Sequence, residues 1–456
     1  MGKMQAINPA TEELVAEYET HTPDQATEIV TEVANVWPTW RKSSFSDRAK
    51  YLNKAADLLE ERATEFAELM AQEMGKPLAQ GEGEVKKCAW VCRYYADNAE
   101  QFLADELIKT DAKKTKVAYR PIGTILTIMP WNFPFWQVFR QIAPNVMAGN
   151  TMVLKHASNV PGCALAIEQI MIDAGFPKNV FRTLMVPGSE TENVIINPDI
   201  KGVSITGSTP AGKKVAAAAG SVLKKCVLEL GGSDPYVVLA DADIDEAAKK
   251  CAFSRLINSG QSCIAAKRFI VDESVYDEFL EKFVAELQKY KVGDPFESET
   301  TVGPLARVDL RDELHNQVQR SVAAGAKVVL GGEKPEGKGA FYPVTVLTDI
   351  ASGNPAYSEE FFGPVAIVIK VADVTEAIEV ANDTEFGLGG AVFSSDEAKA
   401  EQIASDDIES GAVFVNGFVA SDPRVPFGGA KQSGYGRELG RHGIYEFVNI
   451  KAVQIS

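Results

Sequence analysis

The chain contains 456 residues, of which 45% are hydrophobic and 24% charged, and its formal net charge is −17 at pH 7. A chain of this length is too long for one compact core, so two or three domains are expected. The composition is that of an ordinary soluble globular protein. Because non-specific binding of nucleic acid requires a basic surface, the acidic charge argues against a nucleic-acid partner.

The cysteine and histidine residues form no pattern typical of a disulfide framework or a metal site. The six cysteines are scattered along the chain, which suits a reducing compartment. Cys88 and Cys92 are close in sequence but lie in a helical run without a second pair of ligands, and the four histidines are dispersed. The sequence contains no N-terminal apolar signal segment and no run of eighteen apolar residues. We therefore expect a cytoplasmic protein that has no metal and no membrane partner.

The chain is predicted to be helical from residue 23 to residue 105. A helix is expected to begin near Ser46, because apolar residues then recur at three- and four-residue spacing through Leu58, Phe66 and Met70. Residues 107–120 differ from this region because they are rich in lysine and alternate only weakly. This pattern predicts an exposed ribbon with an edge available for pairing with another subunit.

Short apolar runs alternate with helical stretches between residues 123 and 425. Strands separated by helices of ten or more residues indicate βαβ units, so an α/β fold with a parallel sheet is expected. The predicted strands fall into two blocks: Thr124–Met129, Thr151–Leu154, Phe181–Met185, Gly202–Thr206 and Lys225–Leu230, and then Tyr236–Leu239, Arg268–Val271, Lys327–Leu330, Val365–Val371 and Ala412–Val415.

A candidate nucleophile, Cys263, ends the sequence Asn-Ser-Gly-Gln-Ser-Cys at residues 258–263. It follows a small, polar and flexible turn, where a thiol can face a cavity. Glu229 lies 34 residues upstream, at the end of an apolar run and before two glycines. A thiolate and a nearby base are the minimum required for covalent catalysis at a carbonyl. Taken alone, the same residues also fit an inert cysteine and a surface carboxylate, since most buried cysteines are unreactive.

Two further motifs suggest binding of an anion or an oxyanion. Residues 207–214 resemble the phosphate loop of nucleotide triphosphatases, but Lys214 stands where a serine or threonine would hold magnesium. Gly207 and Ser208 still follow a strand and begin a helix, whose free N–H groups suit a pyrophosphate. Asn132 lies between two prolines in Pro-Trp-Asn-Phe-Pro, where a fixed amide can donate to an oxyanion. The structural alternatives are a helix cap without a ligand and a rigid aromatic turn.

These motifs, in this order, resemble those of the aldehyde dehydrogenase superfamily over essentially the whole chain. Within the superfamily the sequence looks closest to the succinate-semialdehyde dehydrogenases. The matching elements are Pro-Trp-Asn-Phe-Pro at 130–134, Lys155, Thr-Gly-Ser at 206–208, Glu-Leu-Gly-Gly at 229–232, Gly-Gln-Ser-Cys at 260–263, Glu360-x-Phe-Gly-Pro and Pro-Phe-Gly-Gly at 426–429.

The resemblance implies catalytic roles for Cys263, Asn132 and Glu229. Cys263 would attack the aldehyde as a thiolate, and Asn132 with the Cys263 backbone N–H would hold the oxyanion of the thiohemiacetal. After hydride transfer to the nicotinamide, Glu229 would activate the water that hydrolyses the thioester. Glu438 is implied as a proton relay. Since a free thiol has a pKa of about 8.5, the site is expected to stabilise the thiolate.

The resemblance also implies a nicotinamide cofactor, NADP or NAD. Lys155 and Glu360 would hold its two riboses and Ser208 its pyrophosphate. NAD-preferring members carry a glutamate three positions after the strand-end lysine, where this chain has Ser158. A carboxylate there would repel a 2′-phosphate, whereas serine can donate to it, so a preference for NADP is predicted. The further expected cofactor contacts are Trp131, Gly207 and Phe362.

Arg140 is the predicted ligand of a substrate carboxylate. It follows the Asn132 turn at the offset of the carboxylate-binding arginine in succinate-semialdehyde dehydrogenases, and Trp136 can share its helical face. Ser421, before the Pro-Phe-Gly-Gly turn, is a further candidate donor. Aromatic walls and one guanidinium suit a short chain that ends in a carboxylate, so the expected substrate is succinic semialdehyde. A structural salt bridge is the alternative role of Arg140.

The resemblance implies an aldehyde dehydrogenase-like α/β fold in three parts. These are a Rossmann-type NAD(P)-binding domain of residues 1–106 and 122–231, an α/β catalytic domain of residues 232–425, and a small β element of residues 107–121 and 440–456. The β element would assemble the chain into a homodimer or tetramer. The functional alternatives are a dehydrogenase of another aliphatic or aromatic aldehyde, a CoA-acylating enzyme, whose relatives generally lack the base at Glu229, and a non-catalytic protein on this fold.

Overall fold

The N-terminal part of the protein is a two-stranded hairpin followed by four helices, in a computed structural model that describes residues 2–456. Helices begin after Thr22 and Ser44, each of which forms a capping box. The predicted helical region is thereby confirmed, while the two strands that precede it were not predicted. The elements are β1 (Lys3–Ile7), β2 (Leu14–Glu19), α1 (Pro23–Trp40), α2 (Phe45–Glu61), α3 (Ala63–Met74) and α4 (Leu78–Phe102).

A lysine-rich ribbon and then a parallel sheet follow these helices. The ribbon consists of β3 (Glu106–Ile108) and β4 (Lys114–Pro121), which are antiparallel. The sheet is built from four βα units and a fifth strand, and all five predicted strands of the first block are present with end shifts of at most two residues. Its elements are β5 (Thr124–Met129), α5 (Trp136–Ala148), β6 (Thr151–His156), α6 (Pro161–Asp173), β7 (Phe181–Thr183), α7 (Thr191–Ile196), β8 (Ile200–Thr206), α8 (Thr209–Ser221) and β9 (Lys225–Glu229).

The order of these strands in the sheet, β9-β8-β5-β6-β7, creates a crevice beside β5. The chain first extends the sheet from β5 to β6 and β7, and it then returns to place β8 and β9 on the opposite side. In open α/β sheets, ligands bind outside the carboxyl ends of the strands at the point where the strand order reverses. Here that point lies between the ends of β5 and β8, at Pro130 and Gly207.

A second, seven-stranded sheet has the order β12-β13-β14-β11-β10-β15-β16, and only β12 runs antiparallel to its neighbour. Two of its strands, β13 and β15, were not predicted. The elements are β10 (Pro235–Val238), α9 (Ile244–Leu256), β11 (Arg268–Asp272), α10 (Tyr276–Leu287), α11 (Val308–Ala323), β12 (Lys327–Leu330), β13 (Thr345–Thr348), α12 (Pro355–Ser358), β14 (Val365–Val371), α13 (Val374–Asn382), β15 (Gly389–Phe393), α14 (Glu397–Gln402) and β16 (Ala412–Val415).

The C-terminal segment returns to the first sheet and to the ribbon. It forms β17 (Gly434–Tyr435), α15 (Gly440–Tyr445) and β18 (Val448–Ile455). Strand β17 pairs antiparallel with β9, and β18 pairs with the whole of β4, from Val448 opposite Pro121 to Ile455 opposite Lys114. Residues 107–121 and the C-terminal strand therefore lie in one three-stranded sheet. Among the helices of residues 2–456, none combines the length and the apolar character needed to cross a bilayer.

Candidate active site

Cys263 lies in a loop between α9 and β11 whose backbone is unusual. Three successive residues, Asn258, Ser259 and Gly260, adopt left-handed conformations with φ of 54°, 58° and 77°. Such conformations cost free energy for residues other than glycine, so tertiary contacts must hold them. At Gly260 a side chain is also excluded by space, because a Cβ would lie 2.3 Å from the backbone carbonyl of Gly363.

Side chains of the loop connect it to neighbouring segments. Asn258 Nδ2 donates to the backbone carbonyl of Asn132 at 2.7 Å, and Ser259 Oγ accepts from the Gly303 N–H at 2.8 Å. These bonds compensate for the backbone strain and join the loop of Cys263 to the turn that follows β5. The nucleophile and the candidate oxyanion donor are therefore positioned by the same set of contacts.

The amide of Asn132 is held at both ends. Its Nδ2 donates to the backbone carbonyl of Gln261 at 3.0 Å, and its Oδ1 accepts from Gln137 Nε2 at 3.0 Å. An amide nitrogen carries two N–H groups, so one remains available to a ligand next to Cys263. Sequence analysis did not identify Gln137, because a glutamine in the first turn of α5 has no distinguishing pattern.

Two cavities meet at Cys263, whose side chain is half-buried. The larger has a volume of about 480 Å³ and the smaller about 300 Å³. Cys263 and Gln137 line both cavities, so a thiol at this position is accessible from either side. The predicted substrate residues Trp136, Arg140 and Ser421 line the larger cavity, whereas Trp131, Asn132, Gly207, Ser208, Glu360 and Phe362 line the smaller one.

The electrostatic environment of Cys263 differs from the expectation of a stabilised thiolate. Burial raises the pKa of the thiol to about 12, and the charges of Lys267 and Arg140 oppose this shift only in part. Lys267 was not identified from the sequence. Its Nζ donates to the backbone carbonyls of Ser262 at 2.9 Å and Cys263 at 2.6 Å, which fixes the peptide that carries the nucleophile.

Glu229 ends β9 as a fully buried carboxyl group. Burial raises its pKa well above the usual range, the nearby Glu438 raises it further, and Arg140 and Arg437 oppose the shift. Within residues 2–456 neither carboxyl oxygen has a hydrogen-bond partner. The side chain lines neither cavity, so the prediction that it acts beside Cys263 requires a rotation of the side chain towards the thiol.

Arg140 forms a buried ion pair, as the structural alternative predicted, and it also lines the larger cavity. Its Nε lies 2.6 Å from Glu438 Oε2, although the N–H is not aligned with that oxygen. Glu438 Oε1 accepts from Gln141 Nε2 at 2.7 Å. The guanidinium packs over the ring of Phe427 at 4.8 Å, and its Nη1 makes no hydrogen bond within residues 2–456. The predicted proton relay Glu438 and the predicted carboxylate ligand Arg140 are thus direct partners.

Six aromatic side chains contribute to the wall of the larger cavity. Trp136 is the one that the sequence predicted, and its Nε1 donates to Ser421 Oγ at 3.0 Å. The other five rings were not predicted as part of this wall: two stand in the Pro-Trp-Asn-Phe-Pro and Pro-Phe-Gly-Gly motifs, and three come from distant parts of the chain. They are Phe133, Phe253, Tyr290, Phe418 and Phe427.

The smaller cavity lies at the crevice between β5 and β8. Trp131 and Phe362 form its aromatic edge, with ring centres 5.8 Å apart and planes nearly perpendicular. Gly207 and Ser208 present the N-terminus of α8, and the Ser208 side chain makes no capping bond to the helix. A helix N-terminus with free N–H groups favours a phosphate. Glu360 is already engaged on one side, since its Oε1 accepts from the Gly232 N–H at 3.1 Å.

Lys155 and Ser158 lie at the end of β6, outside the walls of both cavities. Burial lowers the pKa of Lys155, and its ammonium makes no hydrogen bond or ion pair within residues 2–456. Ser158 is exposed two residues beyond the strand. Because Lys155 is adjacent to Ile128 of β5, this unpaired cation borders the crevice of the smaller cavity. The arrangement fits an anionic group attached to a ligand that extends out of the crevice.

Comparison with known proteins gives a consistent result. A model of the aldehyde dehydrogenase family matches residues 1–453. The probable succinate-semialdehyde dehydrogenase (NADP+) of Synechocystis sp. is 49% identical over 450 residues, 99% of each chain. The corresponding enzyme 1 of Mycobacterium tuberculosis is 48% identical over 453 residues, also 99% of each chain. The crystal structure of succinic semialdehyde dehydrogenase from Streptococcus pyogenes in complex with NADP+ has a TM-score of 0.97 and 38% identity over 99% of each chain. The expected fold is therefore confirmed.

Proposed function

The chain belongs to the aldehyde dehydrogenase family, and on that premise we propose that it oxidises succinic semialdehyde to succinate with NADP as the preferred cofactor. One observation carries the choice of substrate. The aromatic cavity that opens onto Cys263 also contains the Arg140 guanidinium and the Ser421 hydroxyl. A short aldehyde with a carboxylate at its far end can bind there with its carbonyl at the thiol and its charge at the guanidinium.

The proposed cofactor residues fit NADP. The helix N-terminus at Gly207 and Ser208 suits the pyrophosphate, and Lys155 and Glu360 are positioned for the ribose hydroxyls. Ser158 next to the unpaired Lys155 favours a 2′-phosphate, because serine can donate to it and lysine supplies a positive charge. The NADP+-dependent relatives support this preference. NADP bound at these residues would supply the hydride acceptor for the oxidation.

Cys263 begins the proposed reaction by attacking the aldehyde carbon, which gives a thiohemiacetal. The second N–H of Asn132 and the backbone N–H of Cys263 hold the oxyanion, and the bond from Gln137 keeps the Asn132 nitrogen turned towards the site. Because burial raises the pKa of the thiol, the charges of Lys267 and Arg140 are needed to stabilise the thiolate during attack. Loss of hydride then leaves a thioester on Cys263.

Glu229 is the proposed base for hydrolysis of the thioester. In its ionised form, a carboxylate with a raised pKa is a stronger base towards water than an ordinary carboxylate. Glu229 takes that proton as the hydroxyl attacks, and the Cys263 thiolate leaves as succinate forms. Glu438, which is close enough to raise the pKa of Glu229 and is paired with Arg140, is the proposed acceptor of that proton.

We also propose the domain assignment and assembly that the resemblance implies. Its basis is that the two large sheets have separate hydrophobic cores and that β18 and β4 share a third sheet with exposed edges. The homodimer or tetramer would form through this third sheet. The proposed segments are 1–106 and 122–231 for the NADP-binding domain, 232–425 for the catalytic domain, and 107–121 and 440–456 for oligomerisation.

Steady-state assays of the wild-type enzyme test the proposal. Reduction of NADP and NAD is followed at 340 nm with succinic semialdehyde and with butanal, which has the same four carbons but no carboxylate. We expect kcat/KM to be higher for succinic semialdehyde than for butanal. We also expect it to be higher for NADP than for NAD. Equal kcat/KM values for the two aldehydes would refute the substrate assignment. A rate that depends on added coenzyme A would instead identify an acyl-transferring enzyme.

A further inference from the structure

The larger cavity contains three cationic side chains, of which two have a carboxylate partner. Lys76 pairs with Glu84, and Arg140 pairs with Glu438 at 2.6 Å. Lys87 also lines this cavity but makes no ion pair within residues 2–456. Lys87 is half-buried, and a charge that is partly removed from water without a counter-charge costs free energy, so an unpaired ammonium in a mostly apolar cavity requires an explanation.

Lys87 reaches the cavity from α4. It lies one turn after Glu84 and two turns after Gln80, and all three side chains share the helix face that lines the cavity. Its Nζ donates to Ser421 Oγ at 2.9 Å and lies 4.4 Å from the centre of the Trp136 ring. A cation is attracted to an aromatic face, so Trp136 offsets part of the cost of burying the charge but does not neutralise it.

The hydroxyl of Ser421 is oriented by the same contacts. Its oxygen accepts one hydrogen bond from Lys87 Nζ at 2.9 Å and another from Trp136 Nε1 at 3.0 Å. A serine oxygen has two acceptor sites, so both are occupied and the O–H must donate elsewhere. Within residues 2–456 that O–H has no protein acceptor, and Ser421 lines the cavity. The ammonium and the hydroxyl are therefore adjacent donors that face the same space.

We propose that Lys87 and Ser421 form a carboxylate-binding pair in the larger cavity, in addition to Arg140, and that Lys87 selects aldehydes that carry an anionic far end. This inference rests on the proposed oxidation of succinic semialdehyde and names a specificity-determining residue for it. Two adjacent donors match the two oxygens of a carboxylate, and the charge of Lys87 is not cancelled by the protein. Trp136 is a positioning residue, since its indole N–H orients Ser421.

Three variants test the inference through the ratio of kcat/KM for succinic semialdehyde to kcat/KM for butanal. Lys87→Met removes the charge at similar length, and the ratio should fall roughly tenfold to a hundredfold, the effect of losing one charge-assisted hydrogen bond. The loss should appear mainly in KM for the charged aldehyde. Lys87→Arg should recover much of the ratio. Lys86→Met is the matched control, because Lys86 is the exposed neighbour and pairs with Glu82, and its ratio should equal that of the wild type.

A pH series provides a second readout on the wild-type enzyme. Burial and the nearby Arg140 lower the pKa of Lys87 to about 8. The other ionisable groups that act on it are Cys88, Glu84 and Asp422; burial holds the pKa of Cys88 well above this range and Arg424 holds that of Asp422 below it. The ratio for the two aldehydes should fall as the pH rises through about 8, because Lys87 loses its proton. Titration of Cys263 and Glu229 affects both aldehydes and cancels in the ratio.

The possible outcomes separate this inference from the proposed function. A wild type that shows no preference for succinic semialdehyde overturns both. Suppose instead that the wild type prefers succinic semialdehyde. If Lys87→Met then keeps this preference, or loses activity equally with both aldehydes, only the proposed role of Lys87 is overturned. If Lys87→Met does not fold, the pH profiles of the wild type and of Lys87→Arg test the inference. The ratio of kcat/KM values should fall near pH 8 in the wild type but not in Lys87→Arg. A fall in both proteins, or in neither, overturns the inference.

Discussion

At the scale of single residues, Cys263 and Glu229 have proposed roles in different chemical steps, and substitutions separate those steps. Cys263→Ala should abolish cofactor reduction, because no thiohemiacetal forms. Glu229→Gln should give a rapid burst of reduced cofactor, at most one per active site, followed by slow turnover, because the thioester forms but is not hydrolysed. Stopped-flow absorbance at 340 nm measures both phases. Full steady-state turnover in Glu229→Gln would exclude Glu229 as the base.

Ser158 is the residue on which the prediction of an NADP preference is based. Ser158→Glu should shift the ratio of kcat/KM for NADP to that for NAD towards NAD by at least about tenfold, because a carboxylate repels the 2′-phosphate and accepts from ribose hydroxyls. Ser405→Glu adds the same charge at an exposed position in the other large domain and should leave the ratio unchanged. A wild type that strongly favours NAD would contradict the prediction.

Arg140 has two partners to lose, and its substitution should therefore have two effects. Arg140→Ala should lower kcat/KM for succinic semialdehyde relative to butanal roughly tenfold to a hundredfold, from loss of a contact worth about 1.5–3 kcal/mol. It should also lower thermal stability, because Glu438 is left buried without a counter-charge, at a cost of about 3–5 kcal/mol. Melting temperatures and kinetics for both aldehydes measure the two effects.

Glu438→Gln provides the comparison for Arg140→Ala. It also breaks the buried ion pair, but it keeps the guanidinium in the cavity. The preference for the charged aldehyde over butanal should therefore persist in Glu438→Gln, whatever the effect on the rate. Equal losses for both aldehydes in Arg140→Ala would show that Arg140 supports the fold and not the substrate.

At the scale of elements, the loop before β11 determines where Cys263 lies. Gly260 has a positive φ and no room for a Cβ, whereas Gly325, after α11, has a positive φ of 104° and open space around it. Gly325→Ala should cost about 1–2 kcal/mol from backbone strain alone and leave activity unchanged. Gly260→Ala adds a clash with the Gly363 backbone, so it should lower the melting temperature further and reduce kcat at least tenfold. Equal effects of the two variants would refute this role of the loop.

At the scale of the whole molecule, the three-stranded sheet of β18, β4 and β3 exposes apolar side chains along its edges. Leu107 is 72% exposed and Ile450 is 59% exposed. Strand edges with apolar residues favour pairing with another chain. Ile450→Asp should therefore shift the protein towards monomers in sedimentation velocity experiments. Ile172→Asp, at an equally exposed apolar position on α6, should keep the wild-type distribution. A wild type that is monomeric would exclude this assembly.

The sequence by itself determined the fold class and most of the catalytic motifs. Local periodicity is sufficient to predict strands such as Thr124–Met129, Lys327–Leu330 and Val365–Val371, whose ends the structure reproduces. It failed for Gly389–Phe393, because two glycines disfavour a strand and only its burial between β10 and β16 stabilises it. The order of motifs indicated Cys263 and its partners because catalysis restricts those residue types at those places.

Only the tertiary structure decided how charges are distributed around the candidate site. A lysine in a helix is usually solvated, and nothing local distinguishes the half-buried Lys87 from the exposed Lys86 beside it. The pairing of Arg140 with Glu438, 298 residues further along the chain, is likewise invisible to local patterns. Burial sets the pKa of Cys263 and Glu229, and burial depends on which distant segments pack around each group. The sequence therefore indicates the candidate reacting groups, whereas packing determines which of them are charged, paired or free to bind a substrate.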